Sequence, residues 1–106
     1  MRRIGLFGST GSVGTQVLEV VASLPHDLRV TCLAAGSAVE RLAEQALRLR
    51  PETVVIGERD RYPALRDALA GRFRGEILAG PEGLEEAAAS ADVDTVVSAV
   101  TGIKGL

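Results

Sequence analysis

Gly8-Ser9-Thr10-Gly11-Ser12-Val13-Gly14 is the stretch on which the fold turns. Ahead of it, Arg3-Ile4-Gly5-Leu6-Phe7 reads as a buried strand. Behind it, Val13, Val17, Val20, Val21 and Leu24 recur at helical spacing, so a helix begins inside the motif. A strand, a glycine turn and a helix N-terminus together make an anion site, because the first-turn amides of a helix have no intrahelical partner. The spacing G-x-x-G-x-x-G is a variant of the dinucleotide fingerprint G-x-G-x-x-G. Gly8 permits the tight turn, Gly11 lets a phosphate approach the backbone, and Gly14 lets the helix lie close on the strand. Ser9, Thr10 and Ser12 add small hydroxyl donors. No Gly-Lys-Ser/Thr follows, so the loop is not of the Walker type. Glycines alone are equally compatible with a purely structural turn; the strand before and the helix after favour dinucleotide binding.

Working outward, Pro25 stops the first helix near Leu24. Residues 28–35 form an apolar, β-branched second strand closed by Gly36. Ser37-x-x-Glu40 reads as a capping box opening a second helix with Val39, Leu42, Ala43, Ala46 and Leu47 along one stripe. Arg50 suits its negative end, and Pro51 ends it. Thr53-Val-Val-Ile56 is a third strand. A third helix starts around Pro63 and closes at Gly71. Glu76-Ile-Leu-Ala79 is a weak fourth strand, Gly80-Pro81 opens a fourth helix, and residues 94–100 are a strong fifth strand. Strands alternating with helices at this spacing predict an α/β domain over residues 1–106. The expected architecture is a Rossmann-like, doubly wound parallel sheet of five strands in the order 3-2-1-4-5, truncated at residue 106. That order puts the switch point between strands one and four. The glycine loop and the ends of strands two and five then share one edge of the sheet.

Composition narrows the function. The chain has 106 residues, 46% hydrophobic and 3% aromatic, with a formal charge of −2. That balance gives no electrostatic reason to bind nucleic acid and few rings for base stacking. Arg59-Asp60-Arg61 and Arg72-Phe73-Arg74 read as solvated loop charges. The one cysteine, Cys32, sits in an apolar run and reads as a small core residue rather than a nucleophile. His26 lies in a loop signal, and no Cys/His cluster offers a zinc site. Glu82 and Glu86 share a helix face and read as a solvated pair. No apolar run approaches the ~20 residues a membrane span needs, so no membrane partner is expected and the cytoplasm is the expected location.

The end of the second strand bears on cofactor type. NAD sites place an acid about 20 residues after the glycines to accept from the ribose 2′-hydroxyl. Here the stretch reads Leu33-Ala34-Ala35-Gly36-Ser37-Ala38, without an acid. Backbone amides, the Ser37 hydroxyl and Arg41 one turn on suit a 2′-phosphate better.

Residues 8–20, residues 33–37 followed by Leu42-Ala-Glu-Gln45, and residues 97–106 resemble the start of 1-deoxy-D-xylulose 5-phosphate reductoisomerase. The resemblance implies an NADPH-binding domain, the N-terminal piece of a longer enzyme. Such enzymes use a divalent metal, magnesium or manganese. They convert the sugar phosphate 1-deoxy-D-xylulose 5-phosphate to 2-C-methyl-D-erythritol 4-phosphate in isoprenoid synthesis, as homodimers. By the same resemblance, Thr10, Gly11, Ser12 and Val13 hold the NADPH pyrophosphate. Gly36, Ser37 and Ala38 hold the 2′-phosphate end; the family often carries a basic residue and an asparagine at the last two. The family's metal-binding carboxylates lie in a later domain, so no catalytic or metal residue is expected here, and the chain alone is expected to be inactive. Two alternatives remain: a semialdehyde-dehydrogenase-like, NADP-dependent oxidoreductase domain, and a non-enzymatic nucleotide-binding regulatory module.

Overall fold

The computed structural model describes residues 2–23, 28–89 and 95–98. The chain alternates β1 (Arg2–Phe7), α1 (Ser12–Ala22), β2 (Leu28–Ala35), α2 (Val39–Leu49) and β3 (Thr53–Ile56). A single 3-10 turn (Arg59–Arg61) leads into α3 (Tyr62–Leu69), β4 (Glu76–Ala79), α4 (Gly80–Ala88) and β5 (Thr95–Ser98). The expected helix end near Leu24, the His26 loop, and residues 94 and 99–106 lie outside the described residues.

All strands pair in parallel, in the order β4-β3-β2-β1-β5. The parallel α/β sheet is as expected, but the order 3-2-1-4-5 is corrected. β4 extends the sheet beyond β3, and β5 takes the place beside β1. The reason lies in the faces of the sheet. Leu18 and Val21 of α1, Leu42, Ala43 and Ala46 of α2, and Leu65 and Leu69 of α3 all join one core with Ile4, Leu6, Leu33, Val54 and Ile56. Three right-handed crossovers on one face must step the strands in one direction, β1 to β4. Ala87 of α4 packs with Cys32, Ala34 and Val55 in a second, smaller core on the other face. A right-handed crossover on that face runs back across the sheet, so the reversal falls after β4 instead of after β3. β4 also suits an edge: it is short, and none of its residues is fully buried. The switch point therefore lies at β1, between β2 and β5.

The local signals act much as expected, with one exception. Gly71 takes a positive φ of 74° just past α3, where its turn returns the Arg72 and Phe73 amides to the Leu69 carbonyl. Arg50 ends α2 in the left-handed region and donates its amide to Ala46; its guanidinium reaches the Arg72 carbonyl. The exception is the capping box. α2 starts at Val39 with Ala38 as its N-cap and no side-chain cap. Ser37 sits one residue too early, and its carbonyl accepts from the Val39 amide at 2.9 Å. Its hydroxyl is thus not spent on the helix.

Candidate functional site

The glycine loop leaves β1 at its carboxyl end and turns back over β2. Gly8 makes the turn at φ 83°, a conformation that a side chain disfavours. The Gly8 and Ser9 amides both donate to the Ala34 carbonyl, at 2.7 and 3.0 Å, so the loop is anchored to the end of β2. α1 then leaves in close contact: a Cβ on Gly14 would lie 2.1 Å from the Gly8 carbonyl oxygen. Gly14 is therefore fixed by packing, in agreement with its expected role.

At Gly11, the N-cap of α1, no side chain caps the helix and its first turn carries no acid. The Gly11 position is open: a Cβ placed there would meet only the Gly8 carbonyl oxygen, at 3.6 Å. Thr15 donates both its amide and its hydroxyl to the Gly11 carbonyl, at 2.9 and 2.8 Å. Ser12 and Val13 are the first two residues of α1. Their backbone thus belongs to the turn whose amides have no intrahelical acceptor. Ser9 departs from expectation: it is fully buried, and its hydroxyl faces the interior rather than the loop's outer side.

The second turn, Gly36-Ser37-Ala38, lies on the same edge. Gly8 and Gly36 line one cavity of about 170 Å³ with Phe7, Ala34, Ala35, Gly57 and Leu84. A Cβ on Gly36 would meet nothing within 4 Å. Gly36 and Ser37 are exposed, and Ala38 is half-buried. Two side chains of α2, one turn apart, tie the glycine loop to that helix. Arg41 Nη1 reaches the Thr10 carbonyl at 3.4 Å, and Gln45 Nε2 donates to the buried Ser9 carbonyl at 2.9 Å. These bonds hold two loop carbonyls against α2. The Gln45 link is not legible in the sequence, where Gln45 is one polar residue in an apolar stripe.

A second cavity, of about 430 Å³, opens beside Ser37. Its lining includes Ser37 and Ala38 just before α2 and Arg41 in its first turn, together with Arg61 of the 3-10 turn and Ala64 of α3. From sequence alone Arg61 is a solvated loop charge. No signal short of the pairing of β2 with β3 brings it here.

Elsewhere the chemistry is quiet. Cys32 is buried, and desolvation pushes its thiol up to about 11. Glu82 and Glu86 are both exposed. Glu82 pairs with Arg59, and its own backbone amide, followed by Arg59, holds its carboxyl below the usual range. Among the described residues no group of three or more His, Cys, Asp or Glu could hold a metal ion. No described helix is long and apolar enough to cross a membrane.

Comparison with known proteins agrees with this geometry. The family model for 1-deoxy-D-xylulose 5-phosphate reductoisomerase matches residues 4–106. The reductoisomerase of Chloroherpeton thalassium is 47% identical over 106 residues, covering 100% of this chain and 27% of its own length. That of Symbiobacterium thermophilum is 47% identical, with 97% and 27% covered. Among solved structures, a DOX-P reductoisomerase in complex with magnesium superposes with a TM-score of 0.93 at 32% identity, covering 100% of this chain and 26% of that one. A DOX-P reductoisomerase in complex with NADPH, fosmidomycin and magnesium gives 0.89 at 31% identity, with 94% and 24% covered. The chain thus spans about a quarter of the length of the relatives it matches. Matched by one family model from its first strand to its last residue, the chain belongs to the 1-deoxy-D-xylulose 5-phosphate reductoisomerase family.

Proposed function

We propose that residues 1–106 are the NADPH-binding domain of an enzyme that converts 1-deoxy-D-xylulose 5-phosphate to 2-C-methyl-D-erythritol 4-phosphate. The observation that carries this reading is the pairing of two turns on one sheet edge. One is an uncapped helix N-terminus beside an open Gly11, and the other is an acid-free Gly36-Ser37-Ala38. In this reading Thr10, Gly11, Ser12 and Val13 hold the pyrophosphate by backbone amides and small side chains. Gly36, Ser37 and Ala38 receive the 2′-phosphate end, where the uncapped Ser37 hydroxyl is available to donate. NADPH, when bound, supplies the hydride. The chain's own contribution is to bind and orient it.

The whole enzyme acts as a cytoplasmic homodimer with magnesium or manganese. The described residues offer no cluster of metal ligands, so the metal is assigned to the part of the enzyme beyond this domain. One nucleotide-binding domain supplies one wall of a hydride-transfer site, and hydride transfer needs substrate and nicotinamide in near contact. The isolated chain is therefore expected to bind NADPH and to leave the sugar phosphate unchanged. Family membership displaces the semialdehyde-dehydrogenase-like alternative.

Titration calorimetry of the chain with NADPH, NADH and AMP tests the reading. NADPH should bind most tightly. A preference for AMP would point instead to a regulatory nucleotide module, and equal affinity for the two dinucleotides would overturn the NADPH assignment.

A further inference from the structure

The turn that receives the 2′-phosphate in the proposed reading contains no charge of its own: Gly36, Ser37 and Ala38 are all neutral. A phosphomonoester carries close to two negative charges at pH 7. Cations must therefore come from other elements. The cavity of about 430 Å³ beside Ser37 holds two, Arg41 and Arg61.

They are not equivalent. Arg41 leans toward the glycine loop and reaches the Thr10 carbonyl. Arg61 comes from the opposite wall, at the end of the 3-10 turn. Its neighbour Arg59 is engaged with Glu82, whereas the Arg61 guanidinium has no ion pair or hydrogen bond among the described residues. The backbone fixes where it sits. The Gly57 amide donates to the Ala35 carbonyl at 2.8 Å, and the Glu58 amide donates to the Gly36 carbonyl at 2.9 Å. These two bonds lace the segment after β3 to the turn after β2. The Arg61 amide then donates to the Glu58 carbonyl at 3.0 Å and closes the 3-10 turn. Arg61 is thereby held three residues from a backbone bond to the 2′-phosphate turn itself. One carboxylate, Glu40, lines the same cavity and opposes the two cations.

We propose that Arg61 is a specificity-determining residue, the guanidinium that meets the 2′-phosphate of NADPH opposite Ser37; this rests on the NADPH reading above. A planar guanidinium offers paired donors to phosphate oxygens. A ribose 2′-hydroxyl presents no charge to it. Arg61 therefore contributes to the binding of NADPH and adds little to that of NADH. Glu40 works against the same preference.

The test compares the chain with Arg61→Ala, Arg61→Lys and Glu40→Gln variants by calorimetry, using NADPH, NADH and adenosine 2′,5′-bisphosphate. Arg61 is exposed, so its removal leaves the fold intact, which circular dichroism checks. Arg61→Ala should weaken NADPH and the bisphosphate about tenfold, the size of one charge-assisted hydrogen bond. NADH should change by less than about twofold. Arg61→Lys should restore part of the loss, and Glu40→Gln should tighten NADPH without affecting NADH. If wild-type chain binds NADPH tightly but Arg61→Ala weakens both dinucleotides alike, or neither, the assignment of Arg61 is overturned and the NADPH reading stands. If wild-type chain binds neither dinucleotide, the NADPH reading fails and this inference falls with it.

Discussion

Gln45 Nε2 donates to the carbonyl oxygen of Ser9 at 2.9 Å, across 36 positions of sequence. Both residues are buried, so the bond fastens the glycine loop to α2 from within. Gln45→Leu keeps the volume but removes the donor, which leaves a buried carbonyl unsatisfied. The substitution also removes Gln45 Oε1, itself buried without a partner among the described residues, which offsets part of that cost; the expected loss is about 1 kcal/mol of stability, read from urea unfolding. Ser9→Ala supplies the contrast. The Ser9 hydroxyl oxygen is buried without a hydrogen-bond partner among the described residues, so its removal should cost less than about 0.5 kcal/mol or stabilise slightly. Equal losses in the two variants would show that the side-chain amide does not hold the loop.

The glycines of the motif divide by role, and two substitutions separate them. Gly14→Ala gains helix propensity of about 1 kcal/mol. It also sets a Cβ 2.1 Å from the Gly8 carbonyl oxygen and 2.8 Å from Ser9 Cα. Backbone cannot yield as a side-chain tip does, so the clash wins and a loss above about 4 kcal/mol is expected, with the fold at risk. The Cβ of Gly11→Val meets only the Gly8 carbonyl, at ordinary contact, and the Gly11 φ of −77° suits any residue. That variant should lose about 1 kcal/mol of stability, the cost of a poorer N-cap for α1, and stay folded, yet bind NADPH at least about tenfold more weakly, ~1.4 kcal/mol. A folded Gly11→Val chain with unchanged NADPH affinity would remove the phosphate-cradle assignment.

Element boundaries are legible in the sequence because glycine and proline punctuate them. Gly36, Pro51, Gly57 and Gly71 each follow an element that ends within two residues. Strand order is not legible in the same way. It depends on which face of the sheet α3 covers, and Leu65 and Leu69 would serve either face equally well. Only their shared core with Leu42 and Ile56 decides it. The site divides along the same line. The loop and its position at the end of β1 follow from local spacing. The inward Ser9, the Gln45 bond and the approach of Arg61 are products of pairing between distant segments. The capping box fails because Ser37-x-x-Glu40 also fits a turn whose helix starts one residue later, at Val39.

Cys32 gives the chain a stability that declines in alkali. Its thiol has an unfolded value near 9.0 and is pushed up to about 11 by burial. The folded state therefore keeps a proton that the unfolded chain loses first. The stabilising effect is complete below pH 9 and is lost as pH rises to about 11. The stake is about 2–3 kcal/mol at most. Urea unfolding at pH 8 and pH 10 should show a steeper decline for wild type than for Cys32→Ala, in which this proton is absent. The same burial should make Cys32 slow to react with thiol reagents under native conditions. Parallel pH profiles for the two chains would show that the thiol does not contribute.

Ser37→Asp should reverse cofactor preference without harming the fold. Ser37 is exposed, caps no helix, and shares a cavity with Arg41 and Arg61. A carboxylate at this place lies just before the N-terminus of α2, where the helix dipole favours negative charge by about 0.3–1 kcal/mol. The variant should therefore be as stable as wild type or slightly more so, and any loss of binding is attributable to the site. Two effects then act against a 2′-phosphate: direct repulsion, and engagement of the two guanidiniums by the new carboxylate. A ribose 2′-hydroxyl feels neither penalty and gains an acceptor. NADPH should weaken by about tenfold or more, while NADH binds equally well or better. Because the cavity is open to solvent, the NADPH penalty should shrink as salt is raised from about 0.05 to roughly 0.5 M, where screening acts within a few ångströms. Competition calorimetry at the two salt concentrations measures both effects. Equal weakening of the two dinucleotides, or a penalty that salt leaves unchanged, would mean that Ser37 supports the turn without facing the 2′-position.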